Sequence, residues 1–166
     1  TATSQGWIVA LDANSGKEKW KHLRKTNGTM ENKHAYTSPI IYRDKEREYL
    51  LVHGADFITA HSLKNGDEIW RCGGFQRSRY NPFLRFVASP ACIPGLIVVP
   101  SAKNGPVIAL KPNLKGDVTD QESAIAWKTE RDTPDVPSPV IHDGLVYLCR
   151  ENGILLCLDA KTGKQH

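Results

Sequence analysis

Apolar residues along the chain fall into short runs bounded by glycine, asparagine, aspartate and proline. None keeps the 3.6-residue spacing of an amphipathic helix. Their β-branched and aromatic content predicts strands and little helix. Four runs follow one another as SPIIY, EYLLVHG, DFITAHS and DEIWRC between Ser38 and Cys72, and four more as SPACI, LIVVPSA, PVIALK and AIAWKT between Ser89 and Thr129. Two runs, WIVALD and KEKWKH, precede them, and three, SPVIH, GLVYLCRE and GILLCLDA, follow. That makes thirteen predicted strands. The turn signals DG, NG and TG between them favour tight antiparallel connections.

The runs repeat. A Ser-Pro step opens a unit at Ser38, Ser89 and Ser138, at intervals of 51 and 49 residues. A second marker, a small residue ahead of a glycine turn, recurs at Ala10, Ala60, Ala109 and Cys157, at intervals of 50, 49 and 48. Four short antiparallel strands per unit, at a period of about 40 to 50 residues, are the pattern of a β-propeller blade. A β-sandwich has no reason to repeat a turn motif at that interval. The sequence therefore predicts an all-β chain: an arc of two complete four-stranded blades, residues 38–88 and 89–137, flanked by partial blades at 1–37 and 138–166. Closed propellers carry about four to eight blades, so the arc reads as a segment of a larger ring.

The second marker opens an eleven-residue motif, ALDANSGKEKW from Ala10 to Trp20 and AHSLKNGDEIW from Ala60 to Trp70. The last copy begins at Cys157, and the third runs from Ala109 to Trp127, eight residues longer than the others. Each part has a physical role. Gly16, Gly66 and Gly163 permit a positive φ in a tight turn. Asp12 and Asp159 are placed to hydrogen-bond the turn's own backbone. The small residue leaves a flat shelf for an indole face, and Trp20, Trp70 and Trp127 are the blade-to-blade anchors, each burying on the order of 200 Å². Cys157 takes the shelf position and reads as a packing residue rather than a nucleophile. The motif resembles the tryptophan-docking motif of PQQ-like propeller repeats, Ala-x-Asp-x-x-Thr-Gly-x-x-x-Trp. The likeness covers essentially the whole chain, and the segment from Lys115 to Gly163 resembles secreted bacterial BamB-like repeat proteins.

What that resemblance implies divides in two. BamB-like members are non-catalytic scaffolds whose loops bind partner proteins in the cell envelope. Quinoprotein dehydrogenases hold pyrroloquinoline quinone and Ca²⁺ on the ring axis, with a disulfide between adjacent cysteines and a tryptophan floor. Here Cys72, Cys92, Cys149 and Cys157 are all separated, and every tryptophan but Trp7 sits in a docking position. The expectation is a non-enzymatic scaffold or assembly module with no cofactor, periplasmic, envelope-associated or secreted. The dehydrogenase and a sugar- or nucleic-acid-binding propeller are the alternatives.

Composition narrows this only modestly. Twenty-two basic against eighteen acidic residues give a net charge of +4, too mild and dispersed for a nucleic-acid domain. No apolar run approaches the length of a membrane-spanning helix. The cysteines have no C-x-x-C spacing and the six histidines no H-x-x-x-H or H-E-x-x-H spacing. Cys149 and Cys157, flanking a hairpin, are the pair best placed for a disulfide. Asn27-Gly28-Thr29 matches a glycosylation sequon.

Two segments are candidates for a ligand surface. FQRSRYNPFLRF, Phe75 to Phe86, interleaves Arg77, Arg79 and Arg85 with Tyr80 and other aromatics, a mixture suited to stacking and to protein hot spots. Its simpler reading is a blade connector with buried aromatics and solvated arginines. The second is the polar excursion Leu114 to Ser123 inside the lengthened third motif. Protein partners are expected through the propeller loops, and self-association through open blade edges.

Overall fold

The computed structural model describes residues 4–76, 79–103, 105–130 and 133–166. Four antiparallel sheets succeed one another in chain order. The first pairs β1 (Ser4–Leu11) with β2 (Glu18–Thr26). The second runs β3 (Ile40–Arg43), β4 (Glu48–Gly54), β5 (Phe57–His61) and β6 (Glu68–Cys72). The third comprises β7 (Ala91–Ile93), β8 (Leu96–Pro100), β9 (Val107–Leu110) and β11 (Ile125–Lys128). The fourth comprises β12 (Val140–His142), β13 (Leu145–Cys149) and β14 (Leu155–Asp159). Within each sheet these strands pair in chain order, the up-and-down order of propeller blades. The chain is an all-β propeller arc, and its only helical pieces among the described residues are two 3-10 turns, Met30–Lys33 and Glu122–Ala124.

One strand was not expected. β10 (Gly116–Asp117) belongs to the excursion of the third motif, yet it pairs in parallel with β6 of the preceding sheet, Gly116 opposite Trp70 and Asp117 opposite Arg71. Val118 N–H donates to the Arg71 carbonyl at 2.9 Å, and Gly73 N–H to Thr119 Oγ1 at 2.9 Å. The excursion thus closes the outer edge of the second sheet, and Val118 is buried beneath it. The expectation of a purely surface excursion is corrected on this point.

Alternation along each strand divides the core into two layers. Ile97, Val99, Ile108 and Leu110 join Leu51, Ile58 and Trp70 of the second sheet, whereas Val98, Ala109 and Trp127 join Val146, Leu148 and Leu158 of the fourth. β8 reads LIVVP without a polar break because both of its faces are covered. The Ser-Pro steps also stack. Ser38 N–H donates to Ser89 Oγ at 2.8 Å, and Ser89 N–H to Ser138 Oγ at 3.0 Å. Inner strands of successive sheets are tied at the same point, which accounts for this marker's period.

A buried polar chain fastens the first sheet to the second. Arg24 of β2 donates through Nε to Thr59 Oγ1 at 2.8 Å, and through Nη2 to the Phe57 and Gly54 carbonyls at 2.7 and 3.0 Å. Burial lowers its pKa to about 10. Thr59 Oγ1 lies 2.8 Å from His61 Nε2, and His61 Nδ1 lies 2.9 Å from the Gly66 carbonyl. His53 places its two ring nitrogens 2.9 Å from the Pro100 carbonyl and 3.2 Å from that of Phe57. Burial, and then the Arg24 charge, hold His53 down to about 3, and burial holds His61 down to about 4. All four cysteines are free, so the Cys149–Cys157 bridge is not formed.

The two histidines stay neutral in the fold but take up protons when unfolded near the ordinary value of 6.5. The unfolded chain binds more protons in that window, so stability falls as pH drops from about 6.5 toward 4, by up to about 1.4 kcal/mol per pH unit for each histidine. Urea midpoints measured across this range should show the slope, and His61→Gln should remove about half of it. A flat profile in the unsubstituted chain would contradict the assignment.

Candidate functional site

The sequence-predicted site residues occupy two opposite rims. Antiparallel four-stranded order puts the glycine turns between third and fourth strands at one rim. The connectors from one sheet to the next, with the turns between second and third strands, lie at the other.

At the first rim the turn motif folds alike in three copies. Asp12 Oδ1 accepts from Asn14 N–H, Ser15 N–H and Ser15 Oγ at 3.1, 3.0 and 3.0 Å. Asp159 Oδ1 accepts from Lys161 N–H, Thr162 N–H and Thr162 Oγ1 at 3.1, 2.7 and 2.7 Å. These hydrogen bonds keep both carboxyls below the usual aspartate value. The second copy has Ser62 at this position, with one longer bond from Lys64 N–H to its hydroxyl, 3.2 Å. Gly16, Gly66 and Gly163 all take positive φ, 70°, 79° and 70°.

The tryptophans then reach across the junctions. Ala10, Ala60 and Ala109 stand opposite Trp20, Trp70 and Trp127 in the strand register of their own sheets. Trp20 Nε1 donates to the Leu63 carbonyl of the second motif at 3.0 Å, and its ring lies over Gly66, where a β-carbon would sit 2.6 Å from the indole. Trp127 repeats this with the fourth motif. Nε1 donates to the Ala160 carbonyl at 2.8 Å, and a β-carbon on Gly163 would come within 2.6 Å of the ring. Each of these two indoles thus stands opposite an alanine in its own sheet's register and packs against a glycine of the next. Cys157 is half-buried on β14, opposite Tyr147.

Trp70 faces the lengthened third motif and is held differently. The carbonyl that would receive its N–H, Pro112, accepts from the Tyr49 hydroxyl at 2.9 Å. Trp70 Nε1 is buried without a hydrogen-bond partner, and its ring meets Tyr49 edge-on at 6.0 Å. In place of a glycine, the excursion supplies Val118, Ala124 and the half-buried Leu114 against it. Tyr42 stacks on Tyr49 at 5.0 Å, and its hydroxyl accepts from Gly95 N–H at 2.9 Å and donates to Asp44 Oδ2 at 2.7 Å. Burial raises the pKa of both tyrosines.

At the connector rim the structure separates the residues of FQRSRYNPFLRF. Phe75 and Phe86 are fully buried, each edge-on to His53 with ring centres 5.0 Å away. Tyr80 and Phe83 are exposed, as are Arg79 and Arg85. Arg77 lies outside the described residues. The segment 29–36 carries no motif, yet it lies against this connector. Thr29 N–H donates to Tyr80 Oη at 2.8 Å, Asn32 N–H to the Pro82 carbonyl at 2.8 Å and Asn32 Nδ2 to the Leu84 carbonyl at 2.8 Å. Arg85 pairs with Glu31 at 3.4 Å and stands over the Tyr36 ring at 5.8 Å. No sequence pattern announces this pairing, because it joins polar loops about 50 residues apart.

Among the described residues no three His, Cys, Asp or Glu side chains come together as a metal-binding group. None of their helices is long and apolar enough to cross a membrane, which says nothing of β-barrels.

A family model described as outer membrane protein assembly factor BamB matches residues 1–166. Among solved structures, BamB from Moraxella catarrhalis is similar at 16% identity and TM-score 0.68, over 96% of this chain and 45% of that one. Quinohemoprotein alcohol dehydrogenase from Comamonas testosteroni is similar at 15% identity and TM-score 0.64, over 98% of this chain and 34% of that one. The chain thus spans less than half the length of either structure. A search of curated proteins found no match.

The indole-on-glycine contacts predict unequal costs for one substitution. Gly16→Ala meets no atom within 4 Å and bears only the left-handed backbone, about 1–2 kcal/mol. Gly66→Ala and Gly163→Ala bear that and a clash with an indole, a further ~1–3 kcal/mol. Urea unfolding should rank both well below Gly16→Ala. Equal losses at all three positions would show that the indole does not set the spacing.

Proposed function

The chain belongs to the family of the outer membrane protein assembly factor BamB, and on that premise we propose that it is propeller scaffold without catalytic activity. In this reading it serves the bacterial cell envelope, periplasmic or secreted, by binding other proteins through its loops.

The observation that carries the reading is where the chemistry-bearing side chains lie. His53, His61 and Arg24 are buried and hydrogen-bonded to backbone carbonyls and to Thr59. Cys72 is buried, and desolvation pushes its thiol up to about 12, far from a reactive thiolate. The tryptophans at 20, 70 and 127 hold or fill junctions. These groups work as fasteners between sheets. A fold with rigid junctions and free connectors is suited to presenting loops.

The residues do not fit the quinone of the dehydrogenase alternative. Trp7, the one tryptophan outside the junctions, lies on the exposed face of β1 under Lys21 Nζ, 4.4 Å from its ring centre. The cysteines sit on β6, β7, β13 and β14, with none adjacent in sequence.

Addition of pyrroloquinoline quinone and Ca²⁺ to the purified chain should leave dye-linked alcohol oxidation at background. Chemical cross-linking in a bacterial envelope extract should capture discrete protein partners. Quinone-dependent oxidation would overturn the scaffold reading in favour of the dehydrogenase one.

A further inference from the structure

Exposed large apolar side chains fall into separate groups. Trp7, Val9 and Leu11 on β1, and Val140 and Leu155 on the fourth sheet, lie on the outer faces of the terminal sheets, where a propeller places its next blade. A different group lies on the connector rim. Met30 and Phe83 are each 59% exposed, and Tyr36 and Tyr80 are exposed beside them. No neighbouring sheet is due there, so packing of the ring does not account for it.

This ledge is built, not loose. Asn32 is fully buried and joins the two connectors through its main-chain and side-chain amides. The Tyr80 hydroxyl accepts from Thr29 N–H and donates to Asn32 Oδ1 at 3.3 Å. Ala35 and Phe86 form a parallel bridge. Beneath them, Gly28 and Gly54 have no room for a β-carbon, which would come within 2.9 Å of Ala55 and Ala35 respectively. Met30 is held at φ 49°, a left-handed conformation that side chains with a β-carbon resist. A strained backbone that presents an apolar side chain to solvent, on a hydrogen-bonded frame, is a recurring property of binding surfaces.

Charge selects the occupant. Lys33, Arg79 and Arg85 flank the apolar residues, and Glu31, paired with Arg85, is the acid on the same stretch. A nucleic-acid face would need a longer stripe of cations tracking phosphates. Methionine, aromatics and arginine around an apolar centre are instead the composition of a protein-binding hot spot. We propose that the ledge formed by Met30, Tyr36, Tyr80 and Phe83, with Arg79 and Arg85 at its rim, docks a segment of a partner protein that carries apolar side chains flanked by carboxylates. This rests on the scaffold reading and names the surface that serves it.

The test is selection from a random peptide phage library against the full chain. Synthetic copies of the enriched peptides are then titrated by fluorescence anisotropy. The expected result is enrichment of Asp and Glu beside Leu, Phe or Trp, with binding that weakens as salt rises. Phe83→Ser and the double substitution Arg79→Glu/Arg85→Glu should each weaken the Kd about tenfold or more. All three positions are exposed, so melting temperatures should stay near that of the parent, and circular dichroism checks this. Gly16→Ala, at the other rim, should leave peptide affinity unchanged. Peptides that bind the ledge variants as tightly as the parent would overturn the ledge while leaving the scaffold reading intact. The ledge also falls if selection yields no acidic peptides, or if single-stranded DNA binds more tightly than the peptides and competes for Phe83. Failure of the scaffold reading is registered separately, by quinone-dependent oxidation.

Discussion

An indole laid on a glycine is the contact on which the arc depends. The ring can approach the next sheet only if that sheet's turn has no β-carbon at the point of contact, as at Gly66 and Gly163. Its N–H must find a carbonyl there, Leu63 or Ala160, since a buried donor left unpaired costs about 1–3 kcal/mol. A small residue across the strand pair leaves room for the ring, and alanine holds that register position in each case. These demands fix the distance and angle between sheets together. The turn that offers the glycine must therefore keep its length and its aspartate or serine acceptor. The repeat of about fifty residues is the sequence-level trace of one packing geometry imposed at each junction.

The third motif shows what happens when that geometry is interrupted. The inserted residues displace the glycine turn, and the Tyr49 hydroxyl takes the carbonyl that an indole would have used. The junction is not left open. The excursion folds back, adds β10 to the edge of the second sheet and buries Val118 in the cluster that holds Trp70. Trp70 ends fully buried, whereas Trp20, at a regular junction, is not. Apolar coverage here substitutes for a directional hydrogen bond, at the expense of one unpaired indole N–H.

How much of this was legible in the sequence follows from which forces leave a periodic mark. Strand positions and their grouping into successive antiparallel sheets were readable, because alternation and turn residues are local signals. β10 was not, since a Gly-Asp pair has no apolar alternation and its partner is set by tertiary contact. Arg24, inside the polar run KHLRKT, reads as a solvated cation, and only the second sheet's carbonyls make it a buried fastener. The connector Phe75–Phe86 was half readable. Its aromatic content was visible, but nothing local distinguishes buried Phe75 and Phe86 from exposed Phe83. The contacts that accompany that division are tertiary, with Asn32, about fifty residues away, donating to the Pro82 and Leu84 carbonyls of the loop.

The two candidate surfaces that the sequence offered therefore part company. The excursion belongs to the rim where turns are occupied by tryptophans, and it is drawn into the junction it had disrupted. The connector belongs to the rim where no indole has to land, so its exposed side chains, unlike buried Phe75 and Phe86, are not committed to spacing the sheets. Propeller topology forces this asymmetry. The turns between third and fourth strands, which receive the tryptophans, lie at one end of their sheets and the connectors at the other. Substitutions at the first end disturb the indole junctions, while those at the exposed ledge positions leave both these and the Ser38–Ser89–Ser138 ties untouched. A surface able to vary without loosening the arc has only one rim on which to lie, and the exposed ledge of Met30, Tyr36, Tyr80 and Phe83 is on it.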